Sequence, residues 1–146
     1  MTKMMDYLNK IVRGEIPPPP IEQTLGLKMI SIEGGRCLME LEIDERHTNP
    51  FGSGHGGLVC DLADAAMGAA CHSTLADDQT CSTLELKISF LRPALAGRLQ
   101  AEGKVIKDGR TVSFAECDVT DGKGELIARS TSTLLKSRTR RPRKGN

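Results

Sequence analysis

The stretch NPFGSGHGGLVCDLADAAMGAACHSTL, Asn49 to Leu75, decides the fold. It opens as a glycine-rich loop, passes through His55-Gly56-Gly57, and continues as a run of small residues carrying two acids, Asp61 and Asp64. Its apolar spacing predicts a helix from His55 or Gly56 to Leu75. Ala63, Ala65, Ala66, Gly68, Ala69 and Ala70 would let that helix lie close against whatever covers it. Charges inside such a pattern are expensive to bury, so their presence asks for a reason.

On the N-terminal side, Leu25, Leu27, Met29 and Ser31 alternate up to Gly34-Gly35, and Cys37, Met39, Leu41 and Ile43 alternate after it. That is the pattern of a hairpin. Before it, Met4, Tyr7, Leu8, Ile11 and Val12 suit a short amphipathic helix, which the four prolines at 17–20 break and lay out extended. On the C-terminal side, four strand-like segments are separated by Pro93-to-Gly97, Asp108-Gly109 and Asp121-Gly122. The last two are hairpin turn signals. The expected order is helix, two strands, one long helix, four strands. This is an α+β domain with a mostly antiparallel sheet whose one covered face must meet the long helix. The boundaries read as an N-terminal helix at 1–16, a proline linker at 17–21, the main domain at 22–136 and a basic tail at 137–146.

Composition narrows the function classes. The chain has 146 residues, 38% hydrophobic and 27% charged, which suits one globular domain. With no Trp, one Tyr and three Phe, a ligand pocket must be walled by aliphatic and small side chains. No apolar run is long enough for a membrane span, and the N-terminus lacks a signal-peptide core, so the expected location is cytoplasmic. Five cysteines, Cys37, Cys60, Cys71, Cys81 and Cys117, without CxxC spacing argue against a disulfide framework or a zinc site. Six of the twenty cations fall in the last eleven residues, so the rest of the chain is net acidic. Such a tail is either a solvated extension or a contact for an anionic ligand. A nucleic-acid role lacks the aromatic residues that stack on bases.

Asn49, His55-Gly56-Gly57 and Asp64 in L-A-D-A-A, together with STLELKISFLRPALAG from Ser82 to Gly97, resemble the hotdog-fold acyl-CoA thioesterases of the phenylacetate-pathway (PaaI-like) group. The resemblance covers about residues 22–135. It implies one hotdog domain, a curved sheet wrapped around the central helix, and hydrolysis of an acyl-CoA without a cofactor or metal. It assigns Asp64 as general base or nucleophile, Gly56 N–H as the donor that polarises the thioester carbonyl, and Asn49 as a residue orienting water or thioester. A hydroxyl on the next strand matches Thr83, with Ser82 adjacent, and His55 matches the motif histidine, read as positioning the loop and contacting substrate.

The chemistry of the residues agrees with these assignments. Free N–H groups and the positive dipole end of a helix start suit a developing oxyanion, and glycine removes the Cβ that would block approach. Gly56-Gly57 also suits a plain tight turn into the helix. Asp61 lies in the early turns, where the dipole favours a carboxylate, whereas Asp64 sits among Ala63, Ala65, Ala66 and Met67. That contrast favours Asp64 as the working acid. Arg92 either reaches a nucleotide phosphate or is an exposed strand-end residue; His47 and His72 read as structural. Gly56 and Asp64 stand eight residues apart, about 12 Å along one helix, too far to act on one carbon. Two antiparallel helices across a two-fold axis remove the difficulty. A homodimer with shared sites is therefore expected, on its own or paired further into a dimer of dimers. The rival readings are a non-catalytic acyl-CoA or acyl-carrier binding module and a hydratase or dehydratase on the same fold.

Overall fold

The first helix, α1 (Lys3–Val12), starts where Thr2 Oγ1 accepts the Met5 N–H at 3.2 Å, and it buries Leu8 and Ile11. The computed structural model describes residues 1–139. The proline run does not stay extended: Pro20 opens a second short helix, α2 (Pro20–Leu25), which ends at Gly26 with φ 79°. Proline at a first helical position loses nothing, because that N–H has no partner there. Leu25, expected on the first strand, therefore closes α2 instead.

The hairpin follows as β1 (Lys28–Glu33) and β2 (Arg36–Ile43). A register shift between Met29 and Ser31 turns Ile32 inward and leaves Ser31 exposed, against the simple alternation. On β2 the alternation holds, with Cys37, Met39, Leu41 and Ile43 all buried. The long helix α3 (Gly56–His72) stops three residues earlier than its sequence pattern suggested. The Ser73 hydroxyl there accepts the Gly35 N–H at 2.8 Å and ties the helix end to the first hairpin. Strands β3 (Gln79–Phe90), β4 (Gly97–Asp108), β5 (Val112–Asp121) and β6 (Leu126–Arg138) complete the chain.

The six strands form one sheet in the order β1-β2-β4-β5-β6-β3, every pairing antiparallel. α3 lies across its concave face, as the α+β hotdog reading expected. The sheet makes room for it with a cross-strand row of small residues, Cys37, Gly103, Cys117 and Ser130, paired in that order. A Cβ at Gly103 would stand 2.4 Å from the Ala66 backbone, so helix and strand backbones meet there with nothing between them. Ser130 and Ser132, both buried, donate to the β3 carbonyls of Lys87 and Glu85 at 2.9 Å, so neither hydroxyl is left unpaired.

β6 reaches past the boundary expected at residue 136. Ser137 and Arg138 pair with Thr80 and Gln79, and the Thr139 N–H donates to Asp78 O at 2.8 Å. Ser137–Thr139 thus belong with the sheet, while the rest of the expected basic tail, 140–146, lies outside the described residues. Among the described residues no helix is long and apolar enough to cross a membrane.

Candidate active site

His55 is the N-cap of α3, and its Nδ1 accepts the Gly57 N–H at 2.9 Å. With Nδ1 accepting, the neutral ring carries its proton on Nε2. The His55 carbonyl takes the Leu58 and Val59 N–H groups at 3.0 and 3.3 Å. Among the described residues the Gly56 N–H alone in this first turn has no partner. Gly56 lines a cleft of about 350 Å³ with Asn49, Phe90 and Arg92. A Cβ on Gly56 would come within 3.1 Å of the Phe90 ring, so glycine is what allows that ring to pack over the helix start.

Asn49 organises the loop that leads to the helix. Its Oδ1 accepts the Phe51 and Ser53 N–H groups at 2.9 and 3.3 Å, and its Nδ2 donates to Ser53 Oγ at 2.9 Å. Arg92, exposed two residues past the end of β3, pairs with Glu125 at 3.4 Å.

The other predicted residues sit elsewhere. Asp64, half-buried in the middle of α3, accepts a hydrogen bond from Thr83 Oγ1 at 2.8 Å. The register of β3 shifts between Thr83 and Glu85, and Ser82, one residue earlier, is exposed with no bond to Asp64. Asp64 and Thr83 line a second cavity, also about 350 Å³, whose far wall is α1, α2 and Met29. Within one chain the expected site is therefore two half-sites: Asn49, Gly56 and Arg92 in one hollow, Asp64 and Thr83 in another. β3 joins them, with Thr83 in its first half and Phe90 at its end.

The remaining candidates have structural roles. Asp61 is exposed and faces a shallow cleft with His47 and His55. His47 receives the Asp44 N–H on Nδ1 at 3.1 Å and reaches Leu25 O with Nε2 at 3.2 Å, tying α2 to the loop. His72 reaches the Gly68 carbonyl with Nδ1 at 2.8 Å. Burial pushes the Cys37 and Cys117 thiols up to about 12, as suits cysteines that act as small hydrophobes. Sequence reasoning missed two features of the second cavity. One is the contact of His72 Nδ1 with Cys81 Sγ at 3.4 Å, and the other is the arrival of Glu22 from α2. Neither has a local signal, because each depends on which segments the fold brings together.

A curved antiparallel sheet around one small-residue helix, with a free N–H at the helix start and an acid along its length, is the architecture of a hotdog enzyme. The chain belongs to the thioesterase superfamily, whose family model matches residues 51–128. It is 35% identical to an esterase of Saccharolobus solfataricus over 80% of this chain and 82% of that one. It is 29% identical to human acyl-coenzyme A thioesterase 13 over 91% of this chain and 96% of the other. The solved structure of a phenylacetic acid degradation-related protein from Ralstonia eutropha superposes with a TM-score of 0.80 at 31% identity, covering 88% and 98% of the two chains. The chain is thus a thioesterase of PaaI-like kind.

Proposed function

We propose that the protein hydrolyses acyl-CoA thioesters at sites shared between two subunits. Asp64 activates water or attacks the thioester, the Gly56 N–H polarises its carbonyl, and Asn49 and Thr83 hold the reacting groups. His55 Nε2–H and Arg92 face the CoA side, with Gly57 held by His55 to keep the helix start in shape. The catalytic domain runs from residue 22 through the end of β6 at Arg138 and works in the cytoplasm. The acyl-CoA substrate is suggested by the name of the human relative.

One observation carries the reading: the two half-sites lie along β3, with Thr83 in its first half and Phe90 at its end, and β3 is one of the two edge strands of the sheet and twice as long as the other, β1. This edge is 12 residues long, and Leu84 and Phe90 on it are 57% and 53% exposed. A long open edge is a template for pairing with another strand. Antiparallel pairing of β3 with its counterpart in a second copy sets the Thr83 end of each beside the Phe90 end of the other. That brings Asp64 of one protomer to Gly56 of its partner and meets the 12 Å difficulty, since about 1.5 Å of rise per residue separates the two groups on any one helix. Two such dimers assemble into a tetramer.

In this site the carbonyl oxygen that becomes negative is met by a donor already in place, which costs no reorganisation as charge develops. The Thr83 hydroxyl fixes the Asp64 carboxylate, so the base is held rather than free to swing. The test is release of free thiol from a panel of acyl-CoAs, set against hydration of 2-enoyl-CoA by the same preparation. Thiol release without hydration is expected. Hydration without thiol release would overturn the reading.

A further inference from the structure

The last turn of α3 meets the start of β3 through side chains that the hydrolysis does not use. Cys71 on the helix is fully buried, and Cys81 on the strand is 7% exposed. Their thiols hydrogen-bond to one another. The His72 ring stands beside Cys81, with Nδ1 at 3.4 Å and Nε2 at 3.7 Å from its Sγ. Nδ1 also lies 2.8 Å from the Gly68 carbonyl, which only accepts. Nδ1 therefore carries the ring proton, and Nε2 of the neutral ring is an acceptor. Lys136 is the cross-strand partner of Cys81 on β6, and its nearly buried ammonium is held by Asp108. The Cys81 thiol, with Lys136 adding to its effect and burial opposing it, holds the Cys71 thiol below the usual cysteine value, at about 7. The same contact pushes the Cys81 thiol up, so Cys71 supplies the thiolate of the pair and Cys81 keeps its proton.

We infer that Cys71 and Cys81 form a disulfide when a hydroperoxide oxidises them, and that this bond shuts the hydrolytic site. His72 and Thr83 both line the cavity beside Asp64, so the thiols lie one imidazole ring behind it. Burial at that depth suits an oxidant little larger than water, such as hydrogen peroxide. The Cys71 thiolate attacks one peroxide oxygen, the O–O bond breaks, and the departing hydroxide takes up the proton Cys71 gave, leaving as water. The Cys81 sulfur then attacks the sulfenic sulfur of Cys71, the S–O bond breaks, and hydroxide leaves. The Cys81 proton, passed through His72 Nε2, makes that hydroxide the second water. Two thiols lose two electrons and one peroxide gains them. The sulfurs must close to about 2.05 Å, which draws the start of β3 onto α3. Thr83 follows two residues later, at the register shift, and its hydroxyl fixes Asp64 at 2.8 Å. The bond therefore moves the anchor of the catalytic acid. That consequence rests on the hydrolytic reading; formation of the disulfide does not.

The experiment treats the reduced full chain with hydrogen peroxide, removes the excess, and reads intact mass, a peptide map and hydrolysis of acyl-CoA. Cys60→Ser in every protein tested removes the one thiol that is not buried. The protein with both Cys71 and Cys81 should lose two hydrogens in mass and yield a cross-linked Cys71–Cys81 peptide. Its kcat should fall by about ten- to a hundredfold, the scale for misplacing a catalytic group by about an ångström. A dithiol should restore both mass and activity. Cys71→Ala and Cys81→Ala should each keep their own activity through the same treatment, and either one suffices if the other fails to fold. No bridge, or a bridge between other cysteines, overturns the assignment. A Cys71–Cys81 bridge with unchanged kcat, or equal inactivation of the alanine variants, overturns the switch. A reduced protein that hydrolyses no acyl-CoA overturns the hydrolytic reading, and the mass and peptide map still decide the disulfide.

Discussion

Asp64→Ala is expected to lower kcat by roughly 10²–10⁴, the usual scale for losing a positioned acid–base group. Asp61→Ala, three residues away on the same helix, should cost far less. The contrast follows from placement. Asp64 is half-buried and anchored by the Thr83 hydroxyl, whereas Asp61 is exposed and opens onto a different cleft. Both variants should melt near wild type, because neither side chain fills the core. If Asp61→Ala is the damaging change and Asp64→Ala is tolerated, the roles given to the two acids are wrong.

The largest stability effect is expected away from the chemistry, at Gly103. Its added Cβ would lie 2.4 Å from Ala66 C and O and 2.7 Å from Met67 N. Those are backbone atoms of the central helix, with no flexible side chain to yield. Gly103 also sits between Cys37 and Cys117 in the middle of the sheet, so the strand cannot retreat without disturbing both neighbours. Gly103→Ala should cost about 3 kcal/mol, the upper end of the ordinary overpacking range. For a chain of this length that corresponds to a Tm lower by roughly 6–12 °C, read by thermal unfolding. A Tm within about 1 °C of wild type would show that helix and sheet do not meet as closely as described.

The parts of the fold with a strong period were legible in the sequence. α3, β2 and the turns after β4 and β5 announced themselves through helical spacing, alternation and Asp-Gly pairs. α2 did not, because six residues are too few to show a period and its prolines read as breakers. The bulges at Met29–Ser31 and Thr83–Glu85 were also hidden, since one shifted residue leaves composition unchanged but turns later side chains to the other face. The small residues of α3 were visible as a close-packing surface. Their counterparts Gly103, Cys117 and Ser130 gained that meaning only once strand register aligned them.

Candidate site residues divided in the same way. The motif around Gly56 and Asp64 stood out because acids and glycines were set in an apolar helix. The choice between Ser82 and Thr83 needed the bulge, and Glu22 needed the placement of α2 against the cavity. The separation of the half-sites was readable as arithmetic: a rise of about 1.5 Å per residue keeps Gly56 and Asp64 apart on any one helix.

The central claim is therefore that one site draws Asn49 and Gly56 from one protomer and Asp64 and Thr83 from its partner. Mixing inactive Asn49→Ala and Asp64→Ala proteins under conditions of subunit exchange tests it most directly. A mixed dimer holds one doubly damaged site and one intact site. Random exchange makes about half the dimers mixed, so activity should return to roughly a quarter of wild type. If mass measurement confirms exchange and no activity returns, the site is not shared and the account fails.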